Sequence, residues 1–279
     1  TQPPMIDGGC TRSHTTPSPS SAKVNIPGWS ISSRPPAPAN PTHNRPADVE
    51  HTPQFAKRGL QNSRTHGGLA DVLTEDPDLY RWLGDSSAQL GVPITRVADG
   101  RTPWQLFHDV HYLGNSRIAP CTVTLKIRPC RRWLDAHADP ASTTLYIGLD
   151  ASPRDRRRAP AIATGWRPWT SRFPLLDPPQ LTKQEQLDYA RQLGLHPPRL
   201  YDLGLPHNNC GGACVRAGKH HWARLLHVLP DHYAAAEAAE NQLRNQLGNV
   251  TILTEQRQRQ RHRLPLSELR RRLTSGHQP

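Results

Sequence analysis

Residues 207–222 read His-Asn-Asn-Cys-Gly-Gly-Ala-Cys-Val-Arg-Ala-Gly-Lys-His-His-Trp, and no other stretch of the chain is as dense in chemistry. Cys210 and Cys214 lie four residues apart across a Gly-Gly pair. Glycines let a backbone turn sharply and approach a ligand closely. Two thiols on such a turn can share one metal ion, one cluster or one disulfide, or one of them can act as a redox or nucleophilic thiol. His207 adds a ligand or an acid–base group, while Asn208 and Asn209 suit turn conformations. The chain has five cysteines. An odd number in a chain read as cytoplasmic favours ligation or catalysis over a disulfide framework. Cys121 is a candidate third thiol, Cys130 falls on an expected helix and reads as packing, and Cys10 lies in a low-complexity segment.

Cationic and acidic candidates surround these thiols in the sequence. Lys126, Arg154 and Arg216 each sit in or just after a motif, where they can neutralise phosphate or sulfate oxygens or form ordinary surface ion pairs. Asp71, Asp99 and Asp150 each lie in or just after a strand-like run. Asp150 can bind a ribose or Mg²⁺, or simply cap the turn that follows it. Trp166 and Trp169 can stack on a base, although core packing is the simpler reading.

The elements that must position these residues occupy the later part of the chain. Of the 29 prolines, 11 precede residue 54. Residues 1–53 are also rich in Ser, Thr and Asn and hold a single aromatic residue, Trp29. Such a segment buries too little apolar surface to offset its ordering entropy, so disorder is expected there. Residues 1–68 thus read as an arm and connector, 69–255 as one α/β domain, and 256–279 as a basic tail with a short helix. No apolar run approaches the roughly 20 residues that span a bilayer, and no secretory signal is visible, so a cytoplasmic location without a membrane partner is expected. The formal charge is +12, with basic clusters at 154–158, 257–263 and 270–272. That balance suits nucleic acid, phosphate-bearing small molecules or merely solvated faces.

Apolar spacing predicts strands over 69–73, 92–97 and 143–150, and helices over 78–90, 103–113, 128–137, 219–229 and 234–247. A capping box at Thr182 and Glu185 opens another helix ending near Gly194, and 265–273 reads as a short basic helix. A polar basic loop is expected after Asp150, followed by a short β-rich segment over 166–176. Strands alternating with helices imply an α/β fold with a mostly parallel sheet flanked by helices. In such sheets ligands bind beyond the carboxyl ends of the strands.

Three runs, Pro-Cys-Thr-Val-Thr-Leu-Lys at 120–126, Tyr-Ile-Gly-Leu-Asp at 146–150 and the 207–222 segment, resemble the phosphoadenosine phosphosulfate (PAPS) reductase family. This family belongs to the adenine nucleotide alpha-hydrolase, or PP-loop ATP pyrophosphatase, superfamily, and the likeness is to its uncharacterised bacterial and phage branch. It spans about residues 69–253. The resemblance implies a parallel five-stranded sheet with an adenine nucleotide, ATP or PAPS with Mg²⁺, at its carboxyl edge, and sulfur transfer or reduction as the chemistry. It implies Asp71 and Glu75, after the second strand, as nucleotide-side residues together with Lys126, Asp150, Arg154 and Arg216. Cys210, Cys214 and His207 become the catalytic candidates. Cys121, Cys210 and Cys214 become ligands of a [4Fe-4S] cluster with one open iron, or of zinc, which His207 can also ligate. The family's Ser-Gly-Gly-x-Asp-Ser phosphate loop is absent from this sequence, so the first strand and that loop are expected to be missing and activity is in question. The Glu-Cys-Gly-x-His motif of assimilatory reductases is absent too. Two other functions stay open: a nucleic-acid-binding or modification-associated protein using its basic C-terminus, and a zinc-stabilised interaction module.

Overall fold

The computed structural model describes residues 29–32 and 65–275. Apart from Trp29–Ser32, the segment expected to be disordered, Cys10 included, lies outside the described residues. The strands are β1 (Trp29–Ser32), β2 (His66–Asp71), β3 (Ile94–Ala98), β4 (Thr144–Ile147), β5 (Thr170–Arg172), β6 (Leu253–Arg257) and β7 (Gln260–Leu264). The α-helices are α1 (Pro77–Leu90), α2 (Pro103–Asp109), α3 (Arg128–His137), α4 (Pro153–Gly165), α5 (Lys183–Gln192), α6 (Arg199–Asp202), α7 (Lys219–Val228), α8 (Pro230–Leu247) and α9 (Leu266–Thr274). The fold is mixed α/β.

Five strands form one sheet in the order β3-β2-β1-β4-β5, and β6 and β7 form a separate two-stranded ribbon. The expectation of a parallel sheet holds for β2 with β3 and for β4 with β5. It fails at the centre, where β1 runs antiparallel to both neighbours. This central strand, Trp29–Ser32, lies inside the segment read as disordered. Ile31 lies opposite His66 and Leu145, and Ser32 opposite Thr144. The chain after Ser32 thus leaves at the edge where β2 and β4 begin, while Asp71 and Asp150 lie at or beyond the other edge. Those two aspartates therefore sit toward the edge where β1 begins, not where it ends.

Local sequence rules account for most helix ends. Asp76 caps α1 by accepting from Asp78 N–H at 3.0 Å, with Pro77 at the first helical position, and Gly91 ends the helix at φ 64°. Thr102 with Gln105 and Thr182 with Glu185 close capping boxes on α2 and α5. The basic run at 154–158, read as a loop, is instead the start of α4. Ser152 accepts from Asp155 N–H at 3.2 Å, and Pro153 is preset for a first turn.

Two groups of buried side chains hold these elements together. Ala70, Cys130, Leu134, Leu145, Ile147, Ile162, Trp166 and Trp169 join β4 to α3 and α4, so both tryptophans are core residues, as is Cys130. The second group includes Val72, Phe107, Leu125, Trp222, Tyr233, Leu264 and Leu269 and unites α2, α7, α8 and α9. Glu240 pins the C-terminal segment to it. This fully buried carboxylate accepts from Ile252 N–H at 2.8 Å and Leu266 N–H at 2.6 Å. Residues 253–274 therefore pack with the body of the chain. No helix among the described residues is long and apolar enough to cross a membrane.

Candidate functional site

The Cys-Gly-Gly-Ala-Cys segment is a kinked 3₁₀ turn, Asn209–Gly212, with Ala213 leading on to Cys214. Cys210 and Gly211 both adopt left-handed backbone, φ 53° and 57°. That conformation is ordinary for glycine and costly for cysteine. Three contacts hold it. Cys210 N–H donates to Glu75 Oε2 at 2.7 Å. His232 Nδ1 meets the Gly211 carbonyl at 2.8 Å, and His221 Nε2 meets the Gly212 carbonyl at 2.6 Å. A carbonyl only accepts, so each of those ring nitrogens carries a proton. The glycines themselves are required by close approach. A Cβ on Gly211 would lie 2.8 Å from the Thr74 carbonyl oxygen, and one on Gly212 would lie 2.8 Å from Leu225 Cδ1.

Cys121 and Lys126 come from the segment joining α2 to α3. Residues Thr122–Ile127 form a π-helical turn, with Arg128 N–H donating to the Val123 carbonyl. Such turns recur at functional sites because they re-aim side chains within a helix. Here the turn buries Lys126, whose ammonium lies 3.6 Å from Glu75 Oε1. Burial works against the charge of this lysine. The acidic groups around it, Cys210, Glu75, Cys214 and Cys121, outweigh burial and raise its pKa above the ordinary lysine value. Glu75 is pushed upward by burial, against the pull of Lys126 and the Cys210 N–H.

The three thiols are inequivalent. Cys210 hydrogen-bonds Cys214, and this bond, against the effect of burial, draws Cys214 down to about 7. The same bond, then burial, pushes Cys210 well above the usual thiol value. Burial and the adjacent Cys214 charge raise Cys121 to about 11. At neutral pH the site therefore holds one substantially ionised sulfur, Cys214, beside two neutral thiols. All three are free, as is Cys130.

Cys214 also borders two cavities. The first, about 360 Å³, is walled mainly by Thr74, Trp104, Cys121, Cys210 and His232. The second, about 190 Å³, is walled by Asp150, Arg154, Arg158, His207 and Arg216 at the start of α4. In the second cavity Arg158 pairs with Asp155 at 2.5 Å, yet its Nε and Nη2 are buried without a hydrogen-bond partner. Burial and the charge of Arg154 lower the Arg216 pKa. An anion entering this space would relieve the mutual repulsion of Arg154 and Arg216.

The expected site residues thus fall into two neighbouring groups. Cys121, Cys210, Cys214, Glu75 and Lys126 share one charge network, and Asp150, Arg154, Arg216 and His207 line the arginine-walled cavity. Asp150 also caps its turn, accepting from Ser152 N–H at 2.9 Å, and hydrogen bonds from Ser152 hold its carboxyl below the usual range. Asp71 stands apart. Its buried oxygens accept from Leu73 N–H at 2.7 Å and from the Tyr80 hydroxyl at 3.0 Å, and they pair with Arg96. That carboxylate is spent on tying β2 to α1 and β3. Asp99 is likewise taken, by Arg101 at 2.7 Å.

No family model, curated protein or solved structure matches this chain. Among the described residues no three His, Cys, Asp or Glu side chains are gathered as a metal-ion site.

Sequence reasoning passed over several residues. Thr74 and Trp104 wall the first cavity, and Arg158 supplies the open donors of the second. His221 and His232 act through the loop carbonyls. His207 stacks on His221 with ring centroids 4.5 Å apart. Burial, followed by the neighbouring His221, depresses His207 to about 4, so at neutral pH it is an uncharged base. The signal for His221 lay in the 207–222 segment itself. His232, 21 residues beyond Gly211, had none.

Proposed function

We propose that this chain is a thiol-dependent enzyme scaffold of the PAPS reductase type, acting on an adenylyl nucleotide in sulfur transfer or reduction. The observation that carries the reading is the place of Cys214, a sulfur that ionises near neutrality and borders both an apolar cavity and an arginine-walled one. An adenylyl nucleotide has the matching halves. Its base suits the space beside Trp104, and its phosphate or sulfate oxygens suit Arg154, Arg158 and Arg216. Asp150 is then the carboxylate available for Mg²⁺. Side-chain guanidinium groups take over what a glycine-rich loop does elsewhere, since the sequence has no such loop and three arginines line this cavity.

Cys214 is the attacking or sulfur-carrying atom. Cys210 donates to it and lowers the cost of its charge, and Lys126 supplies the countercharge. Neutral His207 is the nearby proton acceptor on the arginine side. The donor set also fits an iron–sulfur cluster, because three thiols face one cavity and a buried ammonium offsets sulfur charge. Cys121, Cys210 and Cys214 would hold such a cluster, which would supply an open iron as a sulfur-binding position. The same thiols have the donor type of a zinc site but are not gathered closely enough to form one. Free thiols of this kind persist in a reducing compartment, in keeping with a cytoplasmic location.

Calorimetric titration with ATP and with PAPS, each with Mg²⁺, tests the reading. It predicts saturable binding that Arg216→Ala weakens at least tenfold. Absence of binding by both nucleotides would remove the enzyme reading. Anaerobic preparations analysed for iron, sulfide and zinc distinguish the cluster from the other thiol chemistries.

A further inference from the structure

The three basic clusters of the sequence meet different fates in the fold. On α9, Arg270 pairs with Glu237 at 2.6 Å, Arg271 with Glu268 at 2.8 Å, and Arg272 with Glu255 at 2.9 Å. On α4, Arg158 pairs with Asp155. The third cluster forms the β6–β7 ribbon, where Arg257 pairs with Glu255 at 2.8 Å. Arg259, Arg261 and Arg263 are exposed and make no ion pair among the described residues.

The register of the ribbon sorts these side chains by face. Leu253 lies opposite Leu264, and both are buried. Alternation then places Glu255 and the exposed His262 on the same face as that leucine pair, where Glu255 binds Arg272 and fixes the ribbon to α9. The opposite face carries the pairs Thr254 with Arg263 and Gln256 with Arg261, all exposed. The two strands are joined by Gln258 and Arg259, whose φ values are 48° and 63°. This is the geometry of a tight two-residue hairpin turn, normally reserved for Asn and Gly. Here it projects two long polar side chains from the tip.

We propose that this ribbon is a duplex-DNA-binding element that enters the major groove with Gln256, Arg259, Arg261 and Arg263 facing the nucleic acid. A two-stranded ribbon fits the B-form major groove, about 12 Å wide, whereas the A-form groove of RNA is too narrow. Five residues per strand give a length of about 17 Å, against a groove depth of about 8.5 Å. Arginine and glutamine are the side chains that bond guanine and adenine edges in two places at once. The +12 charge of the chain provides long-range attraction to phosphate. None of these residues belongs to the thiol site, so the proposal stands independently of the enzymatic reading.

The test is fluorescence anisotropy of the full chain on a labelled mixed-sequence DNA duplex of about 24 base pairs, from 50 to 200 mM salt. Each phosphate contact contributes about 0.9 to the slope of log K against log salt. Replacing Arg259, Arg261 and Arg263 together by Gln is expected to reduce that slope by up to about 2.7 and to weaken binding at 100 mM salt more than tenfold. The triple Lys replacement is expected to keep the slope, and Arg271→Gln to leave binding unchanged. The proposal is overturned by an unchanged slope in the Gln variant, by absence of duplex binding at 50 mM salt, or by tighter binding to an RNA hairpin of equal length. Loss of the native melting transition in the Gln variant would make these arginines structural and would also overturn it.

Discussion

Replacing Cys210 by Ala removes the hydrogen bond that most lowers the Cys214 pKa. In the native site Cys214 titrates at about 7, against an ordinary thiol value of 9.0. At pH 7 about half of it is thiolate, whereas a thiol returned to about 9 is only about 1% ionised, a loss of roughly 50-fold. The rate of alkylation falls by less, because a more basic thiolate is a better nucleophile. With a Brønsted coefficient of 0.4–0.5, two pKa units restore about 6- to 10-fold. The net expectation is iodoacetamide labelling of Cys214 about 5- to 8-fold slower at pH 7, and faster than wild type above about pH 8, so the two pH–rate curves cross. Site-resolved mass spectrometry separates Cys214 from Cys121 and Cys130. A wild-type midpoint at or above 8.5, or a midpoint unmoved by Cys210→Ala, would refute the assignment of Cys214 as the ionised sulfur.

Gly211→Ala places a Cβ 2.8 Å from the Thr74 carbonyl at φ 57°, and is expected to destabilise the fold by about 1–3 kcal/mol. Gly84→Ala, in α1 with open space around its Cβ, is expected to stabilise by up to about 1 kcal/mol, both read by denaturant melts. Glu240→Ala leaves two buried N–H groups unpaired and is expected to cost about 2–5 kcal/mol in the same assay. His207 is depressed from 6.5 to about 4 in the folded chain. Its neutral form is favoured there, so its stabilisation is full above pH 6.5 and is lost as the pH falls toward 4, by up to about 3 kcal/mol. His207→Gln should flatten the decline of stability across that window.

The residues that announced themselves in the sequence did so through local signals. Cys210, Gly211, Gly212 and Cys214 combined turn-forming and ligating types, and the loop they form needs both glycines. Thr182 with Glu185 marked a helix start because caps are local chemistry. What escaped was set by distant partners. Asp71 looked available until Tyr80 and Arg96 were seen to consume it, and His232 has no sequence link to Gly211. The strand β1 is only four residues long, and its partners β2 and β4 lie far along the sequence, so no local signal marks it or its direction. The basic ribbon was equally hidden. Its Gln-Arg alternation has no apolar face beyond Leu253 and Leu264, and its turn lacks the Asn or Gly that normally marks one. The start of α4 was obscured by its arginines, although Ser152 and Pro153 form an ordinary helix entry.

The central claim is that a nucleotide occupies the two cavities that meet at Cys214. Protection of Cys214 from alkylation tests it most directly, since Cys214 lines both cavities. In the presence of saturating PAPS or ATP with Mg²⁺, labelling of Cys214 is expected to slow more than tenfold, while labelling of Cys130, buried on α3, stays unchanged. Equal labelling rates with and without both nucleotides would contradict the account.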